Sequence, residues 1–167
     1  MESNADPAGF TAAVISRVKT DTAFRAVMSR ADNPAFESAA WEYLIPYCRI
    51  EKDHQRIPFA VVGAAIAKIR PEANGTDDIG SAFRKICKNQ DDIDRESRRF
   101  RRLIGCDSVS EICRLLRPVL PYLASKGAAL DYTRLLFDLL FGEQDIKLRW
   151  AVHFYRKSTQ DETEAEA

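Results

Sequence analysis

The chain has 167 residues, 46% of them apolar and 30% charged, a balance that excludes a disordered or fibrous protein and fits a globular one. Lysine and arginine number 25 and so do aspartate and glutamate, but the zero net charge hides a segregation. Every base lies between Arg17 and Lys157, whereas Glu2 and Asp6 mark the start and Asp161, Glu162, Glu164 and Glu166 crowd the last ten residues. Without those six acids, 19 acids face 25 bases, so a body of about +6 lies between acidic ends. The segment 158–167 has no aromatic residue and reads as a disordered acidic tail, as does 1–6 at the other end.

Helical periodicity dominates and no run alternates as a strand does. A first helix starts near Pro7 and buries Phe10, Val14 and Val18, at i, i+4 and i+8. Asp21 caps a second over 22–30 that carries Arg25 and Arg30. Pro34 after Asn33 opens a third that runs to about Cys48, offers Phe36, Trp41, Tyr43 and Leu44 for packing, and kinks or ends at Pro46. Residues 53–69 form the most apolar and central helix, despite Pro58. The stretch 70–78, with Pro71 and the turn pair Asn74-Gly75, is the clearest loop and the expected hinge. Beyond it come helices over about 79–89, 92–105, 109–125, 131–141 and 144–157; Ser108 and Glu111 form a capping box, Gly127 closes a helix and Asp131 caps the next. The expected fold is all-α: two small bundles, 7–70 and 79–157, with eight to nine helices in total.

Several classes of chemistry lack their residues. No apolar run nears the roughly 20 residues a membrane span needs, the longest being the nine of Phe59–Ala67. The N-terminus has no secretion signal, so the expected location is cytoplasmic. Cys48, Cys87, Cys106 and Cys113 show no metal spacing and read as reduced buried thiols. His54 and His153 sit in no ligand motif, and no P-loop, dinucleotide-binding glycine pattern or nucleophile elbow occurs. Asp91, Asp92 and Asp94 read as acids at a helix N-terminus before they read as a metal cluster. No catalytic residue, cofactor or metal is assigned.

The most informative segment is Ile93–Ile104. At 100° per residue Ile93, Ser97, Phe100 and Ile104 share a core stripe, and Arg95, Arg98, Arg99 and Arg102 share the opposite side. Glu96 falls off that basic face, with only Asp91 and Asp94 near its N-terminal end. Like charges at i, i+4 cost a few tenths of a kcal/mol, so such a face asks for a compensating anion. Phosphates are one, bound bidentately by arginine; acids on neighbouring helices are the other. Arg84, Lys85 and Lys88 before the segment, with Arg114 and Arg117 after it, bring the bases between 84 and 117 to ten against six acids, which favours phosphate. A helix-turn-helix regulator is a poor fit, since Gly105-Cys-Asp-Ser108 imitates the required turn badly.

Five short motifs then occur in order: Ile79-Gly-Ser-Ala-Phe83, Arg98-Arg-Phe-x-x-Leu-Ile104, Cys106-Asp107, Leu130-Asp-Tyr-x-x-Leu-Leu136 and Leu148-Arg-Trp-Ala-x-x-Phe-Tyr155. This succession resembles the small subunit of the type I-E CRISPR surveillance complex Cascade, the CasB family, over roughly 10–157. The resemblance implies a non-catalytic, two-bundle helical subunit in antiviral defence, bound to the backbone and large subunits of Cascade and to a second copy of itself in a head-to-tail dimer. It implies contact with the guide RNA, the target strand and the displaced single-stranded DNA, hence R-loop stabilisation. By position, Arg25 matches the family's N-terminal basic helix, Arg99 the arginine before the phenylalanine, Arg114 and Arg117 the next helix, and Arg149 the arginine before the tryptophan. Family members often carry arginine directly after the motif's glycine, where this chain has Ser81; Arg84 or Lys85, a turn further on, takes that role. The expected nucleic-acid-binding set is therefore Arg25, Arg84, Lys85, Arg95, Arg98, Arg99, Arg102, Arg114, Arg117 and Arg149. The alternative is a helical adaptor whose basic face docks an acidic protein.

Overall fold

Short polar side chains start most of the helices, by accepting the backbone N–H groups that a helix N-terminus leaves without partners. The computed structural model describes residues 5–156, apart from the side chains of Glu143 and Gln144. Among them are nine α-helices, one 3-10 turn and no strand, which is the all-α architecture read from the periodicity. The tail expected over 158–167 lies outside the described residues.

Helix α1 (Pro7–Thr20) is capped by Asp6 and α2 (Thr22–Met28) by Asp21, whose carboxylate accepts the Phe24 N–H at 2.9 Å. The second helix stops at Met28, which leaves Arg30 outside it. The third expected helix is broken. Residues after Asn33 turn instead, because the Asn33 carboxamide accepts the Ala35 N–H at 3.0 Å, an Asx turn that competes with helix. A 3-10 turn over Glu37–Ala40 then leads into a short α3 (Trp41–Leu44) that ends before Pro46. Leu44 is buried and Tyr43 half-buried, but Phe36 and Trp41 face outward, contrary to the packing expected of them.

Helix α4 (Asp53–Ile69) is the centre of the molecule: every residue from Pro58 to Ala67 is buried, and Arg70 ends it in the left-handed region at φ 56°. Gly63 lets α1 and α2 come close, since a Cβ there would lie 2.7 Å from the Met28 sulfur and 2.9 Å from Phe10. After the loop come α5 (Ile79–Lys85), α6 (Gln90–Ile104), α7 (Val109–Ser125), α8 (Tyr132–Phe141) and α9 (Glu143–Tyr155). The loop 70–78 is laced to the segment before α8. Gly75 N–H donates to the Leu130 carbonyl, the Asn74 carboxamide takes the Tyr132 N–H at 2.8 Å, and Asp77 takes the Ala129 N–H at 2.8 Å. Helix α4, from before the loop, packs on α7 and α8 from beyond it. The two groups of helices read from the sequence thus share buried contacts, and α5 with α9 closes the far side against α6.

Candidate nucleic-acid interface

Helices α6 and α7 start with the same reciprocal cap. Asn89 accepts the Asp92 N–H while Asp92 accepts the Lys88 N–H, both at 2.9 Å. Ser108 accepts the Glu111 N–H at 3.2 Å while Glu111 accepts the Asp107 N–H at 2.9 Å. The Lys88 backbone donor and then the Arg95 guanidinium hold the Asp92 carboxyl below its ordinary range.

The buried stripe of α6 is Glu96, Ser97, Phe100 and Leu103, rotated from the one the apolar spacing suggests, with Ile93 and Ile104 only half-buried. Phe100 anchors it against Phe83 and Phe154, with ring centroids 5.6 and 4.7 Å away. Glu96 is 1% exposed. A carboxylate taken out of water needs partners, and this one has three. The Tyr122 hydroxyl on α7 donates to it at 2.6 Å, Arg95 Nε at 3.3 Å, and Arg99 Nη1 reaches both oxygens at 3.2 and 3.3 Å. Arg99 also lies over the Tyr122 ring, 4.2 Å from its centroid. Burial, and then the bond to Glu96, raise the Tyr122 hydroxyl above its ordinary value.

The arginines of α6 therefore divide into two kinds. Arg95, which also pairs with Asp92 at 2.7 Å, and Arg99 are held by protein carboxylates. Arg98, Arg101 and Arg102 are exposed and have no ion pair among the described residues. Beside them runs a groove of about 330 Å³ between α6 and α7, floored by Leu103, Leu115, Val119 and Tyr122 and rimmed by Arg99 and Arg102.

The other expected residues are placed differently. Arg114 is exposed on α7 and has no ion pair among the described residues; Arg117, one turn on, reaches Asp32 at 3.4 Å, where Lys68 also binds at 2.7 Å. Lys85 pairs with Asp77 at 3.2 Å and Arg84 is half-buried on α5. Arg25 lies on α2, which packs on α1 and α4. Arg149 is tied to Asp138, a 3% exposed carboxylate that also accepts Arg134 Nε at 3.2 Å and Trp150 Nε1 at 3.1 Å. The structure thus brings Arg95, Arg98, Arg99 and Arg102 onto one face and leaves Arg25 and Arg149 on other helices. The residues missed were Arg101, Glu96 and Tyr122. Their spacing was readable, since 96, 97, 100 and 103 also fall on one stripe, but the charge of Glu96 argued against it.

A profile of the family described as CRISPR-associated protein Cse2 matches residues 22–155, from the first residue of α2 to the last of α9. The chain belongs to the Cse2 family. That family is the small subunit of type I-E Cascade, so this chain is a subunit of a CRISPR complex assembled with other subunits. No curated protein and no solved structure matches it. No helix among the described residues is long and apolar enough to cross a membrane. Most of the motif residues that resemble other Cse2 small subunits have architectural work here. A Cβ on Gly80 would lie 2.1 Å from the Trp150 carbonyl, so glycine is what lets α5 and α9 touch. Asp131 caps α8 through the Arg134 N–H, Tyr132 is buried, and Trp150 donates to the buried Asp138.

Proposed function

We propose that this Cse2 subunit is non-catalytic and stabilises the R-loop of Cascade through the exposed arginines of α6, with Arg114 of α7 as a separate exposed base beside Arg117. The observation that carries the reading is the row Arg98, Arg101 and Arg102: three guanidinium groups exposed along one helix without an ion pair among the described residues. Replacing a DNA duplex with a guide RNA–target heteroduplex is nearly balanced, so added backbone contacts tip it. A basic strip beside an apolar groove suits single-stranded DNA, which needs charge along its backbone and tolerates any sequence. Guide RNA and target strand are the further ligands, and the working compartment is the cytoplasm.

A head-to-tail pair of copies needs two different patches on each chain. The exposed Phe36, Trp41 and Ile45 before the 70–78 loop, and the exposed Phe137, Phe141 and Leu148 after it, are the apolar side chains such patches would use. The groove between α6 and α7 also favours a second reading for part of this face, the docking of a neighbouring large or backbone subunit or of an acidic protein segment.

The test is R-loop lifetime in the reconstituted guide-bearing complex with Arg98→Ala/Arg101→Ala/Arg102→Ala. Arg99 is left intact because its loss would leave Glu96 buried with one partner fewer. A shortened lifetime with unchanged helical circular dichroism supports the reading; an unchanged lifetime overturns it.

A further inference from the structure

We infer that the acidic segment after α9 folds back on the exposed arginines of α6 and competes there with nucleic acid. The inference rests on the reading of that face as the nucleic-acid surface.

The root of the segment is fixed beside α6. Tyr155, the last residue of α9, sets its ring 5.8 Å from that of Phe100, and Phe154 sets its own 4.7 Å from the same ring. Phe100 lies midway along the stretch that carries Arg98, Arg101 and Arg102. The chain therefore leaves α9 against the core side of α6, level with the middle of the arginine row on the opposite side. An α-helix with side chains is about 10–12 Å across, so the path round it is under about 20 Å. Asp161 stands five residues beyond Arg156 and Glu166 ten beyond it. At about 3.4 Å per extended residue they reach about 17 and 34 Å, enough to bring acids over the face.

Charge makes the match. Residues 157–167 hold Asp161, Glu162, Glu164 and Glu166 against the single base Lys157. None of them is a large apolar residue, so the segment has no means of filling the groove between α6 and α7, but it does carry the anions that the arginine row lacks. Tethering raises its local concentration to the millimolar range, so weak exposed pairs suffice to occupy the face. A DNA strand brings more charge and releases condensed counterions, so it displaces the segment when held nearby by the assembly. The acidic segment thus acts as a filter that weakens binding to stray nucleic acid.

The test uses the full chain and the neutral-tail variant Asp161→Asn/Glu162→Gln/Glu164→Gln/Glu166→Gln. The first readout needs no DNA: the Nε–H resonances of Arg98, Arg101 and Arg102. They differ between the two proteins at about 10 mM salt, where the screening length is about 30 Å, and converge near 1 M, where it is about 3 Å. Identical resonances at low salt overturn the inference. The second readout is oligothymidine binding by anisotropy, where the neutral tail tightens binding about threefold to tenfold at low salt, as expected for a few exposed pairs. That gain disappears in the Arg98→Ala/Arg101→Ala/Arg102→Ala background. Equal affinities of the two tails, with shifted resonances, overturn competition. Shifted resonances with no binding by either protein, alone or in the complex, overturn the nucleic-acid reading of the face.

Discussion

Arg98→Ala and Arg99→Ala remove the same charge from adjacent positions of α6, yet they separate in cost. Arg99 makes bonds of 3.2 and 3.3 Å to the two oxygens of a buried carboxylate and covers the Tyr122 ring at 4.2 Å. Its side chain is 44% exposed, so solvent screening lowers the carboxylate bonds to about 1–1.5 kcal/mol together. The ring contact adds about 0.5–1 kcal/mol. Truncation therefore costs about 2 kcal/mol, or a fall in Tm of about 4–8 °C for a chain of this length. Arg98 has no ion pair among the described residues, and its loss stays within about 0.5 kcal/mol. Glu96→Gln should recover part of the Arg99→Ala cost, because no buried charge then remains underpaired; a coupling of about 1 kcal/mol is expected. Urea unfolding followed by far-ultraviolet circular dichroism measures the wild type, the three single variants and the Glu96→Gln/Arg99→Ala double variant. Equal losses for Arg98→Ala and Arg99→Ala, or strict additivity of Glu96→Gln with Arg99→Ala, would refute the division of the arginines into held and available.

Gly80→Ala should destabilise by about 3 kcal/mol or more, because the added methyl collides with the Trp150 carbonyl at 2.1 Å; calorimetry reads it, and a near-neutral result would contradict the α5–α9 contact. Burial pushes the thiols of Cys48 and Cys113 up from 9.0 to about 12. Raised in the folded state, these groups stabilise fully below the unfolded value, and that contribution fades as pH climbs from about 9 towards 12. Unfolding free energy measured across that window should fall, and Cys48→Ala/Cys113→Ala should flatten the slope. Trp41→Asp and Phe141→Asp should each weaken pairing of copies in the assembled complex, while an equimolar mixture restores one intact junction, since a head-to-tail contact uses one patch from each partner. Native mass spectrometry counts the copies, and unaffected pairing by both variants would exclude these patches.

What the sequence made legible was set by local chemistry. Helices α4 and α7 were readable at both ends and α1 at its start, because apolar spacing there agrees with Pro7, the stop at Pro71 and the Ser108 cap. The Asp6 cap was missed: residues 1–6 read as a disordered acidic tail, whereas Asp6 accepts the Gly9 N–H at 2.9 Å and starts α1. The region 34–48 misled because the Asn33 side chain competes locally with helix, and because Phe36 and Trp41 look like core residues while facing outward. The start of α6 was missed by two residues since Asn89-x-x-Asp92 is a cap built from acid and amide, less familiar than Ser108-x-x-Glu111. At the interface, the arginine face was visible as periodicity. Which arginines are available was not, because that depends on Glu96 being buried under Tyr122, a contact between residues 26 positions apart. The same holds for Arg149, whose partner Asp138 lies on the preceding helix.

The salt dependence of single-stranded DNA binding by the complex tests the central claim most directly. Each phosphate contact on a single strand contributes about 0.7 to the slope of log affinity against log salt, so losing three contacts lowers it by about 2. Complex carrying Arg98→Ala/Arg101→Ala/Arg102→Ala should show that reduction for the displaced strand, with a smaller change for a duplex competitor. A slope unchanged from the wild-type complex would mean that these arginines do not meet DNA.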